Sequence, residues 1–207
     1  MNSSQITISP GNTKLGNIPS ISLPKEKTCN PELPCYKYCY TNKLARYPSV
    51  GKAYLKNWNI YGNNGQEYFK QLNEYIGKNN PKYFRYHVSG DIVDYAYFKS
   101  IVFLAESYPK TSFLLYTKKY SIINEYIDHY RFLPNNLQIL FSSIIDKTKF
   151  NLERDNPYNL NICWYQDKEE NENRIPGNAK VCKGDCTRCK ACYTVNKHQT
   201  DIVIPHH

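Results

Sequence analysis

From residue 82 to residue 165 the chain alternates short apolar runs rich in β-formers with stretches of helical period. That alternation restricts the folds open to it more than any other feature. Residues 82–88 (KYFRYHV) read as a strand running into the turn Ser89-Gly90-Asp91. Asp94 is placed to cap a helix through Tyr108, with Phe98, Ile101, Val102, Ala105 and Tyr108 on one face and Pro109 as its stop. Residues 112–116 (SFLLY) read as a second strand, and Ser121 as the cap of a helix with Ile122, Tyr126, Ile127 and Tyr130 on its face. Pro134-Asn135-Asn136 turns the chain into residues 137–141 (LQILF), and residues 159–165 (NLNICWY) form a further strand. Upstream, residues 65–76 read as a helix with Tyr68, Phe69, Leu72 and Ile76 inward, ended by Gly77, and residues 21–23 as an opening strand.

Strands separated by such helices imply right-handed βαβ units and a parallel sheet. With 207 residues the chain is short for a closed eight-fold barrel of ~250. The expected fold is α/β: a partial (β/α) barrel or an open, mostly parallel sheet of five or six strands. Neither repeats nor linkers divide it, so residues 1–207 read as one domain, with a flexible N-terminus over 1–15 and a cysteine-rich segment over 180–196. Sheets of this kind gather chemistry at the carboxyl ends of their strands. Ser89-Gly90-Asp91, Thr117-Lys118-Lys119 and Ser142-Ser143 fall at three such ends, and a cysteine group follows the opening strand.

Seven of the eight cysteines lie in two groups. Cys29, Cys35 and Cys39 have the spacing C-x5-C-x3-C; Cys182, Cys186, Cys189 and Cys192 have C-x3-C-x2-C-x2-C. Three ligands leave a metal centre with an open position, whereas four can close it. Structural zinc sites usually pair two knuckles across a long loop, which the C-terminal group lacks. Its density is closer to a ferredoxin run, so an iron–sulfur cluster is the first expectation and zinc the alternative. The N-terminal group has no fourth cysteine or histidine beside it. It reads as a cluster with one open iron, as a site completed by a thiol from the other end of the chain, or as three packed cysteines. Cys163, inside an apolar strand, reads as a core residue.

Charged residues at 22% and hydrophobic ones at 41% suit a globular chain. No apolar run approaches the ~20 residues of a membrane span, and the N-terminus carries no secretory pattern. A cytoplasmic, reducing setting is therefore expected, favouring metal ligation over the disulfides of a secreted protein. The net charge of +9 admits nucleic acid as a partner, but the cations are scattered and metal-bound thiolates would cancel part of the excess.

The TC…C…CY segment, FRYHVSGD, YTKK and the cysteine-rich C-terminus together resemble the phage gene product 88 domain family, from about Gly16 onward. More remotely the chain is similar to radical S-adenosylmethionine (SAM) enzymes, whose C-x3-C-x2-C motif follows the first strand of a partial barrel. Tyr38-Cys39-Tyr40 matches the aromatic residues flanking the last cysteine in some members. This resemblance implies a [4Fe–4S] cluster on Cys29, Cys35 and Cys39 that binds SAM through its open iron. It also implies a second [4Fe–4S] cluster on the four C-terminal cysteines and an electron donor. Ser89, Gly90 and Asp91 stand where that family's Gly-Gly-Glu turn holds the methionine amino group, and Ser142 and Ser143 where ribose or carboxylate contacts arise. The spacing is longer than the usual one by two residues and then one, and Gly-Gly-Glu has become Ser-Gly-Asp. Arg85, Tyr116 and Lys118 are candidate contacts for an unknown substrate. Two other readings stand beside this one. The first is a non-catalytic metal-stapled protein that binds nucleic acid or a host protein. The second is a hydrolase or transferase with structural zinc and His87 as base.

Overall fold

The computed structural model describes residues 5–37, 39–143, 151–166, 177 and 179–205. Its centre is a sheet of seven strands: β1 (Ser20–Ile21), β2 (Tyr83–Tyr86), β3 (Ser112–Thr117), β4 (Leu137–Ser142), β5 (Ile162–Gln166), β6 (Lys180–Val181) and β7 (Ile202–Pro205). The order across the sheet is β1-β2-β3-β4-β5-β7-β6, and every neighbouring pair is parallel. The sheet is open, and it has seven strands where five or six were expected. The two extra ones lie around the C-terminal cysteines. A strand of two residues, such as β6, is too short for its periodicity to register.

Eight α-helical segments connect or flank these strands: α1 (Lys25–Thr28), α2 (Pro34–Lys37), α3 (Pro48–Asn63), α4 (Gly65–Asn79), α5 (Tyr95–Ser107), α6 (Tyr120–Tyr130), α7 (Leu152–Asp155) and α8 (Val195–His198). α3 to α7 contact one another in sequence order. The sheet-facing residues of α4, α5 and α6 share a core with one face of the sheet. In it Phe84, Tyr86, Phe113, Leu115, Ile139 and Phe141 meet Leu72, Ile76, Phe98, Ile101 and Ile123. Each such side chain, fully buried, contributes roughly 1.5–3 kcal/mol. The other face carries Leu114, Leu140, Cys163 and Ile202, the alternate positions of the same strands. It is covered by Leu15 and Ile18 from the N-terminal segment and Tyr193 and Val195 from the C-terminal one. Strand order that follows the chain through β5, with long helices on one face only, is the winding of a half barrel.

Several local readings are revised. Asp94 does cap α5, its carboxylate accepting from Tyr97 N at 2.8 Å. α6 starts one residue before Ser121, with Lys119 at its N-cap and no side-chain cap, so Tyr120, Ile123, Tyr126 and Ile127 are its buried residues. α4 runs through Gly77 to Asn79 and ends where Asn80 turns left-handed at φ 44°. A side chain at Gly77 would meet Tyr108 Oη at 2.9 Å, so this glycine admits a packed neighbour instead of stopping the helix. α3 escaped notice because only Asn57 and Ile60 of its 16 residues are buried, too few to mark an apolar stripe.

Residues 6–15, read as a flexible lead-in, are held in place. Ile6 N donates to Gln71 Oε1 at 2.8 Å, and Ser9 bridges Ser20. Asn57, 0% exposed, accepts from Thr7 N at 2.7 Å and donates to Thr7 O at 2.9 Å and Ser22 O at 3.1 Å. Asn57→Ala leaves these buried backbone groups without partners. It is expected to lower unfolding stability by about 2–3 kcal/mol in a urea titration. A loss under about 0.5 kcal/mol, the range of ordinary surface changes, would show that the N-terminal segment is not anchored this way.

Candidate metal and cofactor site

The carboxyl ends of β1 to β4 open onto one rim, and their turns are tied directly to one another. Ser22 Oγ accepts from Val88 N at 3.1 Å and Ser89 N at 3.3 Å, and Leu23 N donates to Ser89 O at 3.1 Å. Gly90 has φ +82°, and a Cβ there would lie 2.6 Å from Leu23 O and 2.8 Å from Thr28 Oγ1. Only glycine fits so close an approach. Thr28 Oγ1 accepts from Asp91 N at 3.0 Å, so the residue before Cys29 holds the turn after β2. Asp91 in turn accepts from Thr117 Oγ1 at 2.7 Å, Lys118 N at 2.9 Å and Ile92 N at 2.8 Å. At the next turn the Tyr120 hydroxyl donates to Ser142 O, and Ser143 N donates to Cys163 O at 2.9 Å.

The N-terminal cysteines lie along this rim. Cys29 is half-buried; burial first, and Asp91 second, push its thiol up to about 12. Cys39 and Lys118 are close enough to Cys29 to act on it with opposite signs. Cys39 Sγ lies 3.0 Å from Thr41 Oγ1, and the adjacent Tyr40 donates its hydroxyl to Val88 O. Cys35 lies near Tyr120. The cysteine loop is gathered around Lys25, only 8% exposed, whose ammonium donates to Tyr36 O at 3.2 Å and to Asn42 Oδ1 and sits 4.0 Å over the Tyr36 ring. Sequence reasoning missed Lys25. Its one signal is a lysine directly after a proline that ends an apolar run. Tyr38 lies outside the described residues.

The C-terminal cysteines occupy a different place, on the sheet face opposite the long helices. Cys182, Cys186, Cys189 and Cys192 all line one solvent-open pocket, together with Gly184, Asp185 and Ile202. Cys182 N donates to Val203 O at 2.7 Å, Cys186 N to Lys14 O at 2.9 Å and Cys189 N to Asp185 O at 3.2 Å. A Cβ on Gly16 would collide with Thr187 Cγ2 at 2.1 Å, so the two ends of the chain are pressed together here. Beneath the segment, Tyr116 donates its hydroxyl to Cys192 Sγ at 2.9 Å, and Arg85 stacks on the Tyr116 ring at 4.7 Å. Cys163 is 5% exposed within the same apolar cluster.

Arg85, Tyr116 and Lys118 therefore separate. Lys118 belongs to the rim, whereas Arg85 and Tyr116 lie under the C-terminal cysteines. His87 faces the helix-side core, where its Nε2 lies 3.0 Å from Tyr97 Oη, which lies 3.0 Å from Tyr68 Oη. Burial, and secondarily Arg85, bring it down to about 3, so it is a neutral core group at neutral pH.

As placed, no three His, Cys, Asp or Glu side chains among the described residues converge on a common point within metal-binding reach. The donor set nevertheless fits a thiophilic metal: four thiols share one pocket, and soft thiolates select zinc or iron–sulfur centres. Burial raises Cys186 and Cys192, a cost that bound metal removes by taking thiolate directly. On the rim, the half-buried thiols of Cys29, Cys35 and Cys39 belong to a loop whose first cysteine lies beside the Gly90 turn and the buried Asp91 carboxylate.

Among known proteins, a family model described as Gene product 88 matches residues 2–195. Neither a curated protein nor a solved structure matches the chain.

Two outcomes are expected here. Gly90→Ala costs about 1–3 kcal/mol of stability from backbone strain and speeds alkylation of Cys29, read by thermal unfolding and mass spectrometry. His87 folds neutral but protonates near 6.5 when unfolded, so its contribution is complete above pH 6.5. It declines as pH falls toward about 3, by up to about 1.4 kcal/mol per pH unit. His87→Asn, which tolerates the native φ of 57°, should flatten the dependence of the urea midpoint between pH 7.5 and 5.5. An unchanged slope would assign the effect elsewhere.

Proposed function

This chain belongs to the Gene product 88 family, and from that premise we propose that it is a radical-SAM-like iron–sulfur protein. Cys29, Cys35 and Cys39 hold a [4Fe–4S] cluster with one iron open to SAM, and Cys182, Cys186, Cys189 and Cys192 hold an auxiliary cluster. The observation that carries this reading is the docking of Ser89-Gly90-Asp91 onto Thr28, the residue preceding Cys29. It brings a close-packed glycine turn and a buried carboxylate to the three-cysteine loop at the carboxyl end of a singly wound parallel sheet. Such a centre, when bound, supplies an electron to the SAM sulfonium and so a route to hydrogen abstraction from a substrate.

The chain's own residues have defined tasks in this reading. Gly90 lets the turn after β2 close onto Leu23 O and Thr28 without a Cβ in the way. The Asp91 carboxylate offers about four acceptor positions, of which Thr117, Lys118 and Ile92 take three, leaving one for an ammonium. Lys118 adds positive charge beside Cys29. Ser142 and Ser143, on the adjoining turn, are suited to ribose hydroxyls or a carboxylate. An external electron donor is a required partner, and the substrate is to be found by experiment.

A second reading has one observation in its favour. Residues 33–66 contain Lys37, Lys43, Arg46, Lys52 and Lys56 and no Asp or Glu, and Lys52, Lys56, Asn59 and Asn63 line a shallow groove on α3. That is the electrostatic footprint of a polyanion-binding protein whose thiolates only staple the fold.

Protein purified without oxygen is expected to be brown, with about seven to eight iron atoms per chain, as two cubanes require. It is also expected to bind SAM in a calorimetric titration, with Asp91→Asn weakening that binding by roughly 10- to 100-fold through loss of one charge-assisted hydrogen bond. Colourless protein with about one zinc, no SAM binding and salt-sensitive oligonucleotide binding would replace this reading with the second.

A further inference from the structure

Arg85 stands in an unusual position. It projects from the middle of β2 onto the sheet face that the C-terminal cysteines cover, where Tyr40, Tyr116, Tyr193 and Cys192 surround it. None of those neighbours is a carboxylate. The ion pairs among the described residues, Lys70–Glu67, Arg131–Asp128, Arg154–Asp155 and Arg188–Asp185, do not include it. Its Nε is buried without a hydrogen-bond partner. Arg85 is half-buried, and its guanidinium does not lose its proton in a protein, so the one donor that is cut off from water with nothing to receive it is a cost to the fold. A buried polar atom left without a partner marks a place where a further group, water or ion, completes the site. Here the guanidinium carbon lies over the Tyr116 ring, 4.7 Å from its centre, and the Tyr116 hydroxyl donates to Cys192 Sγ at 2.9 Å.

We infer that Arg85 and Tyr116 are positioning residues of the C-terminal four-thiol centre. Tyr116 orients Cys192 by donating a hydrogen bond to its sulfur, and Arg85 supplies the fixed positive charge that gathered thiolates require. The inference rests on the metal-binding reading of these cysteines. Four thiolates around a divalent ion leave a net charge of about −2 in a half-buried place, and a permanent cation nearby offsets it. The polar residues around a metal's ligands ordinarily govern affinity by about 10- to 100-fold, and hydrogen bonds to cluster sulfurs tune reduction potential. The exposed Lys183, which lines the same pocket, is screened by water and contributes far less.

The test uses the full chain with Cys29, Cys35 and Cys39 changed to Ser, so that only the C-terminal group is read. Cobalt(II) is titrated without oxygen, following thiolate-to-metal absorption, and zinc affinity is obtained by competition with a chelator. Arg85→Gln is expected to weaken both metals by about 10- to 100-fold, Arg85→Lys by much less, and Lys183→Gln hardly at all. Tyr116→Phe is expected to shift the thiolate absorption band and weaken binding by a smaller factor. It keeps the ring on which Arg85 stacks, so it reads the sulfur contact even if Arg85→Gln does not fold. Equal affinity of Arg85→Gln and its parent, or an equal loss in Lys183→Gln, overturns the inference while leaving the metal site intact. Absence of any thiolate band in the parent removes the metal reading, and this inference with it.

Discussion

The Asp91 carboxylate is the junction through which the rim is assembled. Its own amide is held by Thr28, on the segment after β1; its oxygens receive the Thr117 hydroxyl and the Lys118 amide, at the end of β3. One residue at the end of β2 therefore fixes the spacing of three strand ends. Burial raises this carboxyl above the usual range, and the donors from Lys118, Thr117 and Ile92 oppose that rise. A buried acid with such a set of donors is costly to build, and it is retained where it holds a geometry that apolar packing cannot specify. That geometry is the approach of Gly90 to the backbone of Leu23, which sets Cys29 beside the turn.

The sheet divides its tasks by face. Positions facing the helices are large and apolar, and with the buried stripes of α4, α5 and α6 they form the main core. The alternate positions form a smaller cluster whose cover is not a helix layer but the two chain ends, Leu15 and Ile18 meeting Tyr193 and Val195. A cover made of short irregular segments buries little apolar area, and four cysteines sit within it. Metal ligation is a means of stapling segments of this sort, because binding energy becomes folding energy. The N-terminal segment takes part in both regions: Lys14 receives the amide of Cys186, while Thr7 is held by Asn57 behind β1.

The parallel α/β plan was legible because β2, β3 and β4 are separated by the amphipathic helices α5 and α6, and those periods are long enough to count. The meeting of strand-end turns on one rim followed from that plan. What escaped notice has a common cause. α3 buries only Asn57 and Ile60, β6 spans two residues, and Lys25 is a buried cation in a loop, so none of them produces a period. The helix-capping role given to Ser121 failed for a related reason: Tyr120 is drawn into the helix by its hydroxyl contact with Ser142 O, a tertiary bond that local sequence cannot announce. Pooling Arg85, Tyr116 and Lys118 as one set overlooked where β3 ends. Tyr116 and Lys118 belong to one stretch, yet the turn that begins after Thr117 sends Lys118 to the rim.

The two cysteine groups are thus set apart by the sheet but joined by its side chains. Tyr116 touches Cys192 and carries Arg85, Arg85 lies near Tyr40, and Tyr40 follows Cys39 and reaches Val88 at the end of β2. Tyr120 has Cys35 of the first group and the core residue Cys163 among its neighbours. The surroundings of both groups depend on the pairing of β2 with β3, since those strands carry Arg85 and Tyr116 and end in the turns beside Cys29.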